Sequence, residues 1–356
     1  MKKLISLVLI IFLVGCGSKK ELSTNTNSIN EEKQEEIEEK VVLTEEDYRN
    51  NNVDELGEVP IMMYHGIHNK KNSETDYTGG NVDKDGYQRT VEAFRNDLEF
   101  YYKNGYRMIR LTDFVDGNID VELGKSPIIL TFDDGLLNNI IVTGLDDKGE
   151  IIIDPNSAVG VLEEFKSKYP DYNVTATFFI NGGIFQQEEY NEKILKWLVA
   201  HGYDVGNHTN THVNFSKVGA ERSKEEVGKI YELLDSIIPG KYVNIVALPF
   251  GSPYNLEHEN MKYIFNTEYN GKSYETKSAL RVGWKAESSP FSTEFEPKFL
   301  KRIRAYDNNG KEFDIEMNFK LLENTRYISD GDIDTVVIPE NKKELLNAIS
   351  KEVKTY

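Results

Sequence analysis

The chain has 356 residues, a formal net charge of −18 and a single cysteine. That charge argues against a nucleic-acid partner, because neutralising phosphates requires a basic face. The lone Cys excludes an intramolecular disulfide, so the fold must be held by its core, which a chain of this length can bury.

Residues 1–16, "MKKLISLVLIIFLVGC", read as a secretion signal: Lys2 and Lys3 precede an apolar stretch, Leu4 to Val14, too short to span a bilayer comfortably. The stretch ends in Leu13-Val14-Gly15-Cys16, which resembles the bacterial lipoprotein box. That resemblance implies cleavage before Cys16, a lipid on its sulfur, and an extracytoplasmic protein anchored to the cell membrane. Residues 17–57 are polar and acidic, with too little apolar content to offset the entropy of ordering, and are predicted to be a flexible tether.

From 58 to about 305 the pattern alternates. Short apolar runs, "VPIMMY" (59–64), "YRMIR" (106–110), "PIILTF" (127–132), "VTATFFI" (174–180), "YDVGN" (203–207), "VNIVAL" (243–248), "ALRVGW" (279–284) and "KRIRA" (301–305), fit parallel strands buried on both faces. Between them lie helical spacings. In 90–105 Phe94, Leu98, Tyr101 and Tyr102 share a face, with Thr90 as N-cap and Gly105 past the end. In 221–240 Val227, Ile230, Leu234 and Ile237 do the same before Pro239-Gly240 stops the helix. Repeated alternation predicts an α/β fold, a complete or distorted (β/α) barrel of seven or eight parallel strands, with a doubly wound open sheet as the alternative. The domain is expected over 58–356. It would carry an inserted hairpin with a Lys-Gly turn at about 136–160. A C-terminal extension, 306–356, would add a strand pair and a closing helix from Lys342 to Val353.

Two features carry chemistry. Asp133 and Asp134 stand side by side just past a greasy strand, where barrel enzymes keep their reactive groups; taken alone, Asp-Gly is equally a common turn. His208 and His212 are four apart after the "YDVGN" strand, and only six His exist in the chain. Two imidazoles and one carboxylate, with positions left open, are a catalytic zinc-type ligand set.

"TFDDG" followed by "HTNTH", each after a strand, resembles the first two motifs of the polysaccharide deacetylases, the metal-dependent carbohydrate esterases of family 4, over roughly 59–305. "ATFFING" (176–182) is similar to the family's next strand. The resemblance implies Asp133 as catalytic base and Asp134, His208 and His212 as metal ligands. It further implies a divalent ion, Zn²⁺ first with Co²⁺, Ni²⁺ or Fe²⁺ as alternatives, which polarises an acetamide carbonyl and lowers the pKa of water. The implied substrate is an N-acetylated polysaccharide. In "VALPFGSPYN" (246–255), Phe250 stands where the family's aromatic residue offers a backbone N–H to the oxyanion.

The chain departs from the family pattern twice. The usual Arg of that third motif is absent, and Ala247 and Leu248 stand there. Arg281 is then the candidate for orienting Asp133, or else a salt bridge at the rim; Trp284 lines the sugar pocket or belongs to the core. The late catalytic His is also missing. Tyr64-His65, however, resembles the start of the circularly permuted deacetylases of poly-N-acetylglucosamine, which implies His65 as general acid; a buried structural His is the alternative. His68 and His201 read as surface or helix-end residues. The expected activity is release of acetate from a GlcNAc-containing polymer. The alternatives are peptidoglycan or another acetylated glycan as substrate, or a glycan-binding lipoprotein without turnover. Oligomeric state is not legible.

Overall fold

The computed structural model describes residues 43–356. The signal segment with Cys16, and the tether as far as residue 42, lie outside the described residues.

Nine short strands form one parallel sheet: β1 (Ile61–Tyr64), β2 (Tyr106–Met108), β3 (Ser126–Phe132), β4 (Thr177–Ile180), β5 (Asp204–Asn207), β6 (Ile245–Ala247), β7 (Ser278–Leu280), β8 (Phe299–Leu300) and β9 (Ile303–Arg304). Eight of them follow the order β8-β7-β6-β5-β4-β3-β1-β9, and β2 pairs with the first half of β3. All eight predicted runs contribute a strand; β8 is the addition. The two end strands, β8 and β9, are separated only by Lys301 and Arg302. Three residue steps reach at most about 11 Å, so the sheet must curl until its edges meet. Trp284 bridges to Ile303 at that seam. The result is the distorted barrel, with the pairing between β8 and β9 left open.

Side-chain alternation explains why the strands read as unbroken apolar runs. On one face Met62, Ile128, Leu130, Phe132, Phe178 and Val205 pack against the helices α1 (Val91–Lys103), α2 (Ala158–Lys168), α3 (Asn191–Ala200) and α4 (Ala220–Ile237). On the other, Ile61, Ile129, Phe179, Ile245, Leu280 and Leu300 meet in a second cluster closed below by Phe114, Tyr327 and Val336. Both faces are therefore dry, as parallel sheets require. The predicted caps are present: the Thr90 side chain accepts from Ala93 N, and Gly105 has φ +82°.

The insertion is the expected antiparallel hairpin, Val142–Leu145 with Ile151–Ile153, leading through the Ser157 cap into α2. Two boundaries differ from expectation. Residues 43–57 are folded rather than a tether. Thr44 and Asp47 close a capping box on a helix over Glu45–Asn51, and Tyr48, Val53 and Glu55 are buried. The acidic composition hid an amphipathic element whose charged side faces water. In the extension the strand pair exists, Thr335–Ile338 parallel to Glu352–Thr355. The closing helix over Lys342–Val353 does not: a single 3₁₀ segment covers Glu340–Leu345, and the helix lies earlier, over Ile315–Leu322.

Candidate active site

The rim above the C-terminal ends of the strands gathers residues remote in sequence. On β3, Ile129 belongs to the inner cluster and Thr131 and Asp133 follow at period two, so the fold turns Asp133 inward. The next residue, Asp134, adopts φ +76°, a left-handed conformation that a non-Gly residue seldom holds without local support. It turns the second carboxylate toward β5. There Asp134 Oδ1 lies 3.1 Å from His208 Nε2 and 3.3 Å from His212 Nε2. One ligand atom from each of the three falls within 4.8 Å of the others. The ends of the two motifs therefore meet in space.

The donor set fits a divalent cation. His208 Nδ1 lies 2.8 Å from the Ala247 carbonyl, so it carries the proton, and Nε2 presents its lone pair to the site. That Nε2 is buried and makes no hydrogen bond, although it faces the Asp134 oxygen. Two acceptors pointed at one spot, inside the protein, are what a cation between them would satisfy. His208 is buried, His212 half-buried, and Asp134 partly open, which leaves a side for substrate.

Asp133 differs from its neighbour. It is 1% exposed and sits against Arg302, which is wholly buried. The guanidinium donates Nη1 to Oδ1 at 2.8 Å and Nη2 to Oδ2 at 2.7 Å, a bidentate pair. Burial alone would raise the Asp133 carboxyl; the charge and hydrogen bonds of Arg302 outweigh burial and hold it well below the usual carboxylate range. Arg302 is fixed in turn. Its Nε donates to the Arg281 carbonyl at 2.8 Å, and Nη1 also reaches Thr131 Oγ1 at 3.1 Å. Its backbone lies so close to Gly283 that a Cβ there would fall 2.2 Å from the Arg302 carbonyl oxygen.

This corrects the sequence reading. The guanidinium that orients Asp133 belongs to Arg302, not to Arg281; Arg281 supplies a carbonyl, and its own guanidinium lies over the Phe299 ring at 4.9 Å. Nor does Arg281 form the alternative rim salt bridge among the described residues. The missing third-motif Arg is replaced from the two-residue link between β8 and β9. Leu300 and Arg302 fall on the same side of the chain, but so does Arg304, so alternation in "KRIRA" did not single out Arg302.

His65 follows β1 beside the two aspartates, with its ring 5.1 Å from that of Tyr87. Burial pushes its imidazole down, against the upward pull of Asp133 and Asp134. Its Nδ1 is buried without a hydrogen bond. Phe250 has φ +59°, is 54% exposed, and sets its ring 4.7 Å from that of His212. Trp284 is also 54% exposed, so it is not core, and it flanks the seam beside Arg302. His201 is an exposed helix-end residue stacked on Trp197. His68 is half-buried and bonded to Gln88 Oε1 at 3.0 Å.

Residues 120–264 match the family described as polysaccharide deacetylase. The peptidoglycan-N-acetylglucosamine deacetylase of Bacillus cereus is 28% identical over 127 residues, 36% of this chain and 37% of that one. The match thus spans little more than a third of that relative's length. Among solved structures, the Streptococcus pyogenes deacetylase PplD in complex with acetate superposes with a TM-score of 0.50 at 18% identity, over 70% of this chain and 93% of that one. This likeness concerns the fold. A de-N-acetylase from Aggregatibacter actinomycetemcomitans gives a TM-score of 0.47 at 11% identity, over 74% of this chain and 99% of that one.

Proposed function

We propose that this chain, which belongs to the polysaccharide deacetylase family, hydrolyses N-acetyl groups on a GlcNAc-containing polysaccharide and releases acetate. The observation that carries the proposal is the division between two adjacent carboxylates. Asp134 faces two imidazoles in a cation-ready cluster, while Asp133 is held ionised by Arg302 outside it.

In this reading Asp134, His208 and His212 hold a divalent ion, Zn²⁺ first. When bound, the ion polarises the acetamide carbonyl and makes water a stronger acid. The chain's own groups do the rest. Asp133 uses both oxygens on Arg302, yet each keeps a second lone pair, and one of these takes the proton from the attacking water. The backbone N–H of Phe250 donates to the oxygen on which charge develops. His65, next to Asp133, gives a proton to the departing amine nitrogen. Trp284 and the ring of Phe250 offer apolar faces to the sugar.

The 28% identical relative, by its name a peptidoglycan-N-acetylglucosamine deacetylase, favours cell-wall glycan over other acetylated polymers. The same proposal puts the enzyme outside the cytoplasm, held to the cell membrane by a lipid on Cys16. Acetate release from GlcNAc oligomers, poly-N-acetylglucosamine and peptidoglycan, measured with Zn²⁺ or Co²⁺ added, tests it. Turnover on at least one is expected. No acetate from any of them, with metal shown to be bound, leaves a glycan-binding protein instead.

A further inference from the structure

We infer that Glu226 is a positioning residue for the metal-ligand loop, acting through Thr211 on the placement of His208 and His212; the inference rests on the proposed metal-dependent reading. The loop needs such a support. Between the two imidazoles the backbone turns through left-handed conformations at Thr209 (φ +67°) and at His212 itself (φ +56°). A β-branched Thr seldom adopts such a conformation, and backbone of this kind persists only where the surroundings over-determine it.

Glu226 supplies that surrounding. It sits in the middle of α4, with its carboxylate fully buried. Oε2 accepts from Thr211 N at 2.7 Å, and Oε1 accepts from Thr211 Oγ1 at 2.7 Å. Its carbonyl accepts from Asn210 N at 3.0 Å. One residue thus takes two backbone N–H groups of the loop and one hydroxyl. Arg222, one turn earlier, closes the arrangement at 2.6 Å from Oε1, which compensates the buried charge. Lesser ties complete the loop. Asn207 Oδ1 accepts from Thr209 N at 2.9 Å, and Asn181 Nδ2 donates to the His208 and Thr209 carbonyls at 2.8 and 3.0 Å. Thr211 is the residue immediately before His212, so a shift of Thr211 moves that imidazole directly. Groups behind ligands typically alter metal affinity by about 10–100-fold when removed.

The test uses the full chain, with Zn²⁺ affinity measured by competition against a chromophoric chelator and with the visible spectrum of the Co²⁺-loaded protein. Glu226→Ala is expected to weaken Zn²⁺ binding by about 10–100-fold and to alter the Co²⁺ bands. Glu226→Gln keeps an acceptor for Thr211 N in the same volume and is expected to recover most of the loss. Thr211→Val removes the two hydroxyl contacts, to Glu226 Oε1 and from Arg222 Nη2 at 2.8 Å, but leaves the bond from Thr211 N, and it carries the test if Glu226→Ala does not fold; a loss of about three- to tenfold is expected, a part of the effect of removing the whole anchor. Wild-type affinity and an unchanged Co²⁺ spectrum in a folded Glu226→Ala chain, or in Thr211→Val where Glu226→Ala is unfolded, would overturn the inference alone. No Zn²⁺ or Co²⁺ binding by the wild type would overturn it together with the metal-dependent reading.

Discussion

The rim and the floor of the barrel each bury a carboxylate, and they treat it in opposite ways. Asp133, at the rim, is gripped by both nitrogens of Arg302 and stays ionised. Glu55, at the floor, has no cation within ion-pair distance among the described residues. Burial, with Asp330 close by, pushes its pKa up to about 8. Three donors still reach it: Tyr327 OH at 2.6 Å, Val337 N at 2.7 Å and Asp330 N at 3.4 Å. They do not offset the missing counter-charge. Desolvation is shared by both sites, so the guanidinium decides the difference. In the proposed mechanism the rim carboxylate accepts a proton and so needs to be ionised beforehand. A floor carboxylate that only ties the segment before β1 to 327–337 does not.

The contrast breaks most visibly at Asp133. Replacing it with Asn keeps the shape and one acceptor but removes the proposed base. We expect acetate release to fall by about 10²–10⁴-fold while Zn²⁺ still binds, since the ligands are elsewhere. Turnover and metal content measured on the same preparation decide it; an active Asp133→Asn chain would assign the proton transfer to another group.

Removing the other half of the pair tests the electrostatic claim. Arg302→Met leaves a buried carboxylate alone, a change that typically costs about 3–5 kcal/mol. In the wild type Arg302 lowers the folded-state pKa of Asp133. The pair's contribution is therefore present above the carboxyl's ordinary range and is lost only as pH falls through the lowered folded value. In the variant that carboxyl rises, so the acid limb of the rate profile should move to higher pH, and denaturant midpoints should drop at neutral pH. An unshifted limb would mean that Arg302 packs without tuning.

Glu55→Gln makes the mirror test. Between the ordinary value of 4.5 and the folded value of about 8, the folded chain keeps a proton that the unfolded chain has released. Stability contributed at this site therefore declines as pH rises across that window. Gln removes the decline, by an amount on the order of a few kcal/mol over the window. Urea titrations at pH 5, 7 and 9 read it. A wild type and a variant with parallel pH dependence would place Glu55 among ordinary carboxylates.

Much of this contrast was legible in the sequence, for a physical reason: parallel strands dry on both faces announce themselves as apolar runs, and ligands held by one short loop must be close in sequence. His208 and His212 could be paired that way, whereas Asp134, on a different loop, was joined to them by the resemblance of the two motifs. Arg302 could not, because its partner is 169 positions away and nothing local marks an inward-facing arginine. Glu55 was hidden differently. It lies among acidic residues that face water, and only Thr44 with Asp47, a capping box, hinted that the stretch was helical and not a tether. Glu226 sat inside a helix whose apolar stripe was plain, so its polar neighbour drew no notice.

The smallest expected effect separates the two ends by their aromatic residues. Trp284, exposed at the rim, touches solvent where a sugar would lie, whereas Tyr327 is buried at the floor with its hydroxyl on Glu55. An aromatic contact is worth about 1 kcal/mol, so Trp284→Ala should raise KM for polymer about fivefold. Its kcat should hold, since the proposed mechanism gives it no part in proton transfer or charge stabilisation, and so should its melting temperature, since the side chain is half exposed already. Tyr327→Phe should do the reverse. It removes one hydrogen bond, worth about 1 kcal/mol of stability, and should leave KM alone. If Trp284→Ala lowered kcat and KM together, the indole would be shaping the reacting complex through its bridge to Ile303, next to Arg302, and the rim would have to be read as one coupled unit with the seam.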